Sequence, residues 1–407
     1  MVTKLHSEPV SPLQLLKQKD FSLLLFGQLI SAFGDKIHYV ALGVWVFRLT
    51  GSPLAVGKMT LAGLLPYLLF GLVAGAYVDR WNKKFTMVIS DLLRASLVFL
   101  IPWALLFNLN AVYVITFLVT TVSLFFNPAK MAIIPSLFTR DQILGATSLA
   151  EAVENVTEVL GYAVAGIIAS LINLKLIFYL DGITFIFSAV CIFAMQINLA
   201  HPKSREPQGK LLTEIREGLS FVSSTPSLKV TLTLYCLALM IFSGFSPLVV
   251  VYALQSLQSS TAGLGILESS QALGITLGGI LLSFLGAKLS KGKLMTLGYF
   301  ISGLTITLLG FFPSYPLALV GFLFAGISNA MFLIPVVSVF QEVTPEKMRG
   351  RVFSARFTST RLAFMFSVIC LTYLANLVGV NMIYISIGIA LTTLALASFS
   401  LKTLKTL

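Results

Sequence analysis

Polar residues interrupt this chain at intervals that leave apolar runs of twenty or more residues, recurring from one end to the other. A run of about 20 apolar residues, wound as a helix, crosses the hydrocarbon core of a bilayer. The pattern predicts twelve such spans. Six lie before a polar break: Phe21 to Leu49, Leu54 to Val78, Phe85 to Phe107, Ala111 to Leu137, Gly145 to Ile172 and Leu176 to Leu199. Six follow it: Ser227 to Leu254, Thr261 to Ala287, Leu294 to Phe312, Tyr315 to Gln341, Val352 to Val378 and Asn381 to Ser400. The expected organisation is a cytoplasmic segment (1–20), a six-helix bundle (21–199), a linker (200–226), a second bundle (227–401) and a short tail (402–407). Within the linker, Leu211, Leu212, Ile215, Leu219 and Val222 share one helical face, which predicts an amphipathic helix along the cytoplasmic membrane surface.

Composition agrees with the spans. Of 407 residues, 57% are hydrophobic and 11% charged, far below the quarter or so that is charged in soluble domains. Charge adds orientation. With the N-terminus inside, only Arg48, Lys58 and Lys175 fall outside. Lys36, Arg94, Lys130, Arg356 and Arg361 fall within spans, and the remaining basic residues gather on the inner side. Both termini are therefore expected in the cytoplasm. The net charge of +12 follows from this topology and from contact with anionic lipid heads, so no nucleic-acid partner is needed to explain it. No cleavable signal sequence is read at the N-terminus. Cys191, Cys236 and Cys370 all lie in spans and suggest neither a disulfide framework nor a metal site.

The halves repeat weakly. Thr139 to Gly145 (TRDQILG) and Thr344 to Gly350 (TPEKMRG) share Thr, an acid, an apolar residue and Gly, and Gly71, Arg80 and Lys83 align with Gly279, Lys288 and Lys291 at nearly the same offset. Two similar bundles around a midplane site is an architecture of secondary transporters. The chain carries no GxxxxGK[ST] phosphate loop. An ion gradient is then the expected energy source, worth about 2.3 kcal/mol per charge per 100 mV. No cofactor and no metal are expected. HExxH and GxSxG are absent, which argues against a membrane-embedded enzyme.

The chemistry of coupling is sought among charged residues in the spans. Glu151, Glu154, Glu158 and Tyr162 recur on one face of the fifth span. Lipid opposes ionised carboxylates, so this stripe must face protein or a wet cavity. Two readings stay open: static pairs with Lys130 or Arg94, or carboxylates that load and release protons. Gln28, Ser31, Asp35, His38 and Trp45 form a second stripe on the first span, with Lys36 beside Asp35, and His38 could share a proton with Asp35 one turn away. Thr116, Thr120, Ser123, Asn127 and Lys130 form a third on the fourth span. The second half offers Tyr235, Phe242, Phe245, Tyr252, Asn329 and Phe332 but only Glu268 as an acid. The first bundle is therefore read as the proton side and the second as an aromatic wall for an amphiphilic substrate.

Gly75 to Lys84 (GAYVDRWNKK) resembles the loop between helices two and three of the major facilitator superfamily, G-x-x-x-D-R-x-G-R-K. Gly75, Asp79, Arg80 and Lys84 match, Lys83 replaces Arg, and Asn82 stands where Gly is usual. KQKDFSLLLFGQLISAFGD, RLTGSPLAVG, NPAKMAIIPSLF and TPEKMRGRVFS resemble the branch that contains macrolide efflux proteins and the enterobactin exporter. The resemblance implies an all-α polytopic membrane protein of two pseudo-symmetric six-helix bundles, alternating access and proton-driven export. By resemblance Asp79 and Arg80 belong to a cytoplasmic gate, with Gly75, Lys83, Lys84 and Arg356 read beside them, while the polar stripes put Asp35, Glu151, Glu154 and Glu158 in coupling and Gln28, His38, Asn127, Lys130, Tyr162, Tyr235 and Asn329 around the substrate. The expected partners are an amphiphilic small molecule, drug- or macrolide-like or else a specific metabolite such as a siderophore or lysolipid, together with protons and the lipid bilayer. A functional monomer in a bacterial inner membrane is expected. The exporter pattern G-P-x-x-G-G of the fifth helix reads GYAVAG here, with Tyr162 in place of the bending proline.

Overall fold

A computed structural model describes residues 12–78, 80–197, 211–286 and 289–401. The described residues form α1 (Lys19–Thr50), α2 (Pro53–Val78), α3 (Lys83–Phe107), α4 (Leu109–Leu137), α5 (Arg140–Leu171) and α6 (Leu174–Phe193) in the first half. After the linker helix α7 (Leu211–Ser224) come α8 (Pro226–Ser256), α9 (Thr261–Leu285), α10 (Lys291–Phe311), α11 (Tyr315–Val343), α12 (Arg349–Val378) and α13 (Val380–Phe399).

Polar residues at the turns start these helices. Asn82 accepts from the Phe85 amide at 3.2 Å, and Asn108, Asn173, Ser260 and Ser290 likewise cap α4, α6, α9 and α10. Thr139 and Gln142 make a reciprocal capping box at α5. Each cap satisfies amide N–H groups that would otherwise be orphaned near the lipid.

Eleven of the described helices are long and apolar enough to cross a membrane. The predicted first span, α1, has the length, 32 residues, but Gln28, Asp35, Lys36 and His38 dilute its apolar run. The reason is its position: α1 packs against α5 and α6 and turns these side chains inward. With α1 the architecture is the expected one, a polytopic all-α protein of twelve helices in two bundles. The sixth span is shorter than expected, ending at Phe193, where Ala194 turns the chain.

The two bundles are sealed together at one end, the end remote from the linker. There α5 packs on α9 and α2 on α12. Arg48 donates to Thr261 Oγ1 at 3.1 Å, and Ser52 donates to Asn376 Oδ1 at 2.8 Å. A Cβ on Gly166 of α5 would lie 2.7 Å from the Gly265 Cα of α9, a backbone approach that only glycine permits. At the opposite end α7 rests on the start of α12. Its Gly218 meets the Arg351 carbonyl, Val222 is buried, and Glu217 pairs with Arg351 at 2.7 Å. Both partners of that pair are 45% exposed, so it contributes at most about 1 kcal/mol. The apolar face of α7 is thus partly covered by protein, whereas Leu219 stays exposed.

Candidate transport site

Three adjoining cavities run from the first bundle to the second. The first, about 390 Å³, is lined by Gln28, Ser31, Asp35, Lys36, Tyr67, Arg94, Ser123, Asn127, Lys130, Glu154, Thr157 and Glu158. The second, about 430 Å³, shares Asp35, Tyr67 and Ser123 with it and adds His38, Thr116, Thr120, Asp181 and, from the second bundle, Ser246 and Phe364. The third, about 330 Å³, also takes Phe364 and is lined by Tyr235, Phe242, Asn329, Phe332, Arg356, Phe357 and Arg361. The polar stripes of α1, α4 and α5 therefore converge on one space. It opens at the linker end, where Asn127 and Glu154 are exposed.

Two glutamates of α5 are paired across helices, Glu154 with Lys130 of α4 and Glu158 with Lys36 of α1. Lys36 also sits 4.7 Å above the ring of Tyr162, a cation–π contact. Glu151 stands apart: it is exposed, lines none of these cavities and has no ion pair among the described residues. Arg94 is not a partner of the stripe. Its guanidinium pairs with Asp91 one turn away and is held between the rings of Phe126 and Phe185, at 4.5 and 4.3 Å.

Asp35 makes none of these ion pairs and faces both first-bundle cavities, where water reaches it. The expected sharing of a proton between His38 and Asp35 is corrected by the geometry. His38 Nδ1 bonds to Asp181 Oδ2 of α6 at 2.8 Å. Gly34 makes this possible, since a Cβ there would lie 2.6 Å from Asp181 Oδ1 and hold α1 off α6. Asp181 and Asp91, 1% and 0% exposed, were not singled out from the sequence. Each was detectable as a carboxylate in an otherwise apolar run, and Asp91 has Arg94 three residues on.

In the second bundle the aromatic wall is smaller than expected. Phe245 and Tyr252 are fully buried in helix packing against Tyr384, and the Tyr252 hydroxyl donates to the Leu309 carbonyl at 2.8 Å, so its polar end is already satisfied. Tyr235, Phe242, Asn329 and Phe332 do line the third cavity. Glu268 of α9 reaches toward the first bundle, within electrostatic range of Lys36, Glu158 and Tyr39.

Of the residues expected at the gate, Asp79 lies outside the described residues. Gly75 is in the last turns of α2, and Arg80 is exposed just after it. Lys83 is buried at the start of α3. Lys84 donates to the Met195 carbonyl at 2.6 Å, inside the first bundle. Arg356 stacks on Phe340 and Phe353, inside the second.

The family profile described as transmembrane secretion effector, within the major facilitator superfamily, matches residues 9–406. The chain belongs to this family. Among characterised relatives of this transporter, macrolide efflux protein A of Streptococcus pyogenes is 23% identical, over 89% of this chain and 90% of that protein. The multidrug efflux pump Tap of Mycolicibacterium fortuitum is 28% identical, over 96% and 98%. The fold matches the nucleoside transporter NupG with a TM-score of 0.78 at 12% identity, over 94% of this chain and 99% of that one. It matches a bacterial homologue of the lysosomal transporter Spinster, in an inward-facing and unoccupied conformation, with a TM-score of 0.72 at 15% identity, over 95% and 97%. The protein is a multi-pass membrane transporter of small molecules with efflux-pump homologues, and not an enzyme.

Proposed function

We propose that this transporter exports an amphiphilic small molecule by proton antiport, alternating access between its two bundles. The observation that carries the reading is the ion-pair arrangement in the first-bundle cavity. Glu154 and Glu158 are held by lysines on neighbouring helices, while Asp35 lies between them and the His38–Asp181 pair with no ion-pair partner among the described residues. Neutralising a carboxylate in such a set frees its lysine, so proton loading and helix rearrangement are linked. Closure at the far end and opening at the linker end support reading this as an inward-open state, ready to take substrate from the cytoplasm. In this state Lys84 and Arg356 keep to their own bundles, as an open gate requires. Gathering of basic residues at the linker end supports placing both termini in the cytoplasm of a bacterial inner membrane, and the space within one chain supports a functional monomer.

Tyr162 favours a narrower reading of the cargo, a specific metabolite rather than a broad drug set. It replaces the bending proline of α5 and, without lining the cavities itself, sets its ring under Lys36, which does. The test of coupling is substitution of both glutamates, Glu154→Gln with Glu158→Gln, in proteoliposomes carrying an imposed pH gradient and a panel of amphiphilic fluorophores. Gradient-driven efflux is expected to stop while binding in detergent persists. Efflux at the wild-type rate would remove the two acids from the mechanism.

A further inference from the structure

The third cavity contains a feature that transport by the first-bundle carboxylates does not use. Arg356 and Arg361, five residues apart on α12, both line it. At 1.5 Å per residue they lie about 10 and 18 Å along the helix from Arg349, well inside the span. A guanidinium at that depth ordinarily faces a carboxylate. Among the described residues neither arginine has one: the six ion pairs use other groups, and Glu268, the second-bundle span acid, reaches toward Lys36.

Instead both cations rest on aromatic faces. Arg356 lies 5.2 Å from the Phe353 ring centre and 5.8 Å from that of Phe340. Arg361 lies 4.9 Å from Tyr67 and 5.1 Å from Phe357. Stacking holds a guanidinium plane while leaving its edge donors free. The Arg356 Nε is in fact buried with no hydrogen-bond partner, and Tyr235 lies within electrostatic range of both cations. Two oriented forks, an unused buried donor, a phenol and an aromatic lining make a receptor for an acid on an apolar body. Through Tyr67 and Phe364 this receptor adjoins the space where Asp35 sits.

From this arrangement of aromatic-stacked arginines, with no carboxylate partner among the described residues, in a cavity of about 330 Å³, we infer that the substrate is an amphiphilic anion whose acidic group docks on Arg356 and Arg361. The inference rests on the export reading and narrows its cargo. The apolar body lies against Phe242, Phe332 and Phe364, and Asp35, the first-bundle cavity carboxylate with no ion pair among the described residues, repels the anionic head, directing it to the second bundle. A cationic amphiphile meets the reverse field and is disfavoured at this subsite.

The test uses three probes sharing one ring system: 2-naphthaleneacetate, 2-naphthaleneethanol and 2-(2-naphthyl)ethylamine. Binding to purified full-length protein in nanodiscs is measured by calorimetry against empty nanodiscs. The acid is expected to bind about tenfold or more tightly than the alcohol, the size of a charge-assisted hydrogen bond, and the amine no better than the alcohol. In Arg356→Gln with Arg361→Gln the acid should fall to the level of the alcohol, with alcohol binding unchanged as evidence of an intact cavity, and the double Lys variant should recover part of the preference. Equal binding of acid and alcohol to the wild type, or an undiminished preference in the Gln variant, overturns the inference. If the Gln variant does not fold, the wild-type ranking decides alone. No gradient is present, so loss of anion preference alongside Glu-dependent efflux would sink only this inference. Anion preference without gradient-driven movement would sink the export reading instead.

Discussion

Gly166→Ala is expected to unlatch the seal between the bundles. The added Cβ would stand 2.7 Å from the Gly265 Cα and 2.8 Å from the Thr261 carbonyl oxygen. Carbon atoms in favourable contact are about 3.5–4.0 Å apart, so α5 and α9 must part by roughly 1 Å. Both obstacles are backbone, and neither can turn aside. Overpacking of this kind costs about 1–3 kcal/mol, and it is felt only where the two helices touch. At 1.4 kcal/mol per tenfold, the equilibrium between sealed and unsealed forms should shift by about 5- to 150-fold. Spin labels at Leu171 and Ser314, both exposed at the sealed end, one in each bundle, would report it by double electron–electron resonance after replacement of the three native cysteines. A longer-distance population should grow in the variant. A distance distribution identical to that of wild type, in protein with unchanged helicity, would refute the argument that glycine contact holds this end closed.

Two further expectations concern stability, each read as thermal unfolding in detergent. Arg94→Ala leaves Asp91 buried without its cation and should destabilise by about 3–5 kcal/mol, whereas Arg94→Ala with Asp91→Ala should recover much of the loss, because a buried pair and an apolar replacement differ little. A single variant as stable as wild type would show that Asp91 does not depend on Arg94. His38→Ala removes the partner of Asp181 and should cost about 1.5–3 kcal/mol, while Asp181→Asn, whose amide oxygen still accepts from the imidazole, should cost less. The reverse order would mean that His38 finds another acceptor.

Much of this protein was legible along the chain because lipid is an unforgiving solvent. A helix facing hydrocarbon must be apolar, so the spans announce themselves, and any polar face on a span must turn inward. Gln28, Ser31, Asp35 and Lys36 on α1, Ser123, Asn127 and Lys130 on α4, and Glu154 and Glu158 on α5 were readable as cavity residues for that reason, and all line the same space. Helical periodicity specifies which residues share a face of one helix. It contains no information on which helix that face meets.

That choice belonged to the tertiary structure. Sequence neighbours suggested His38 with Asp35, yet the approach of α1 to α6 at Gly34 gave His38 to Asp181. Charge along the chain offers the fifth-span acids Lys130 or Arg94; Lys130 does take Glu154, but Lys36 takes Glu158 and Arg94 turns to Asp91. Tyr252 and Phe245 looked like cavity wall and became core, since aromatic content is the same whether a ring packs or lines. Arg356 and Arg361 read singly as basic residues in a span. Only the packing of α12 against α2 and α8 set them in one cavity, stacked on rings from Tyr67 to Phe340, with no carboxylate among the described residues to answer them. Burial in a bilayer is a property of each segment and is written in its composition; the pairing of charges depends on distances between segments, which only the folded chain defines.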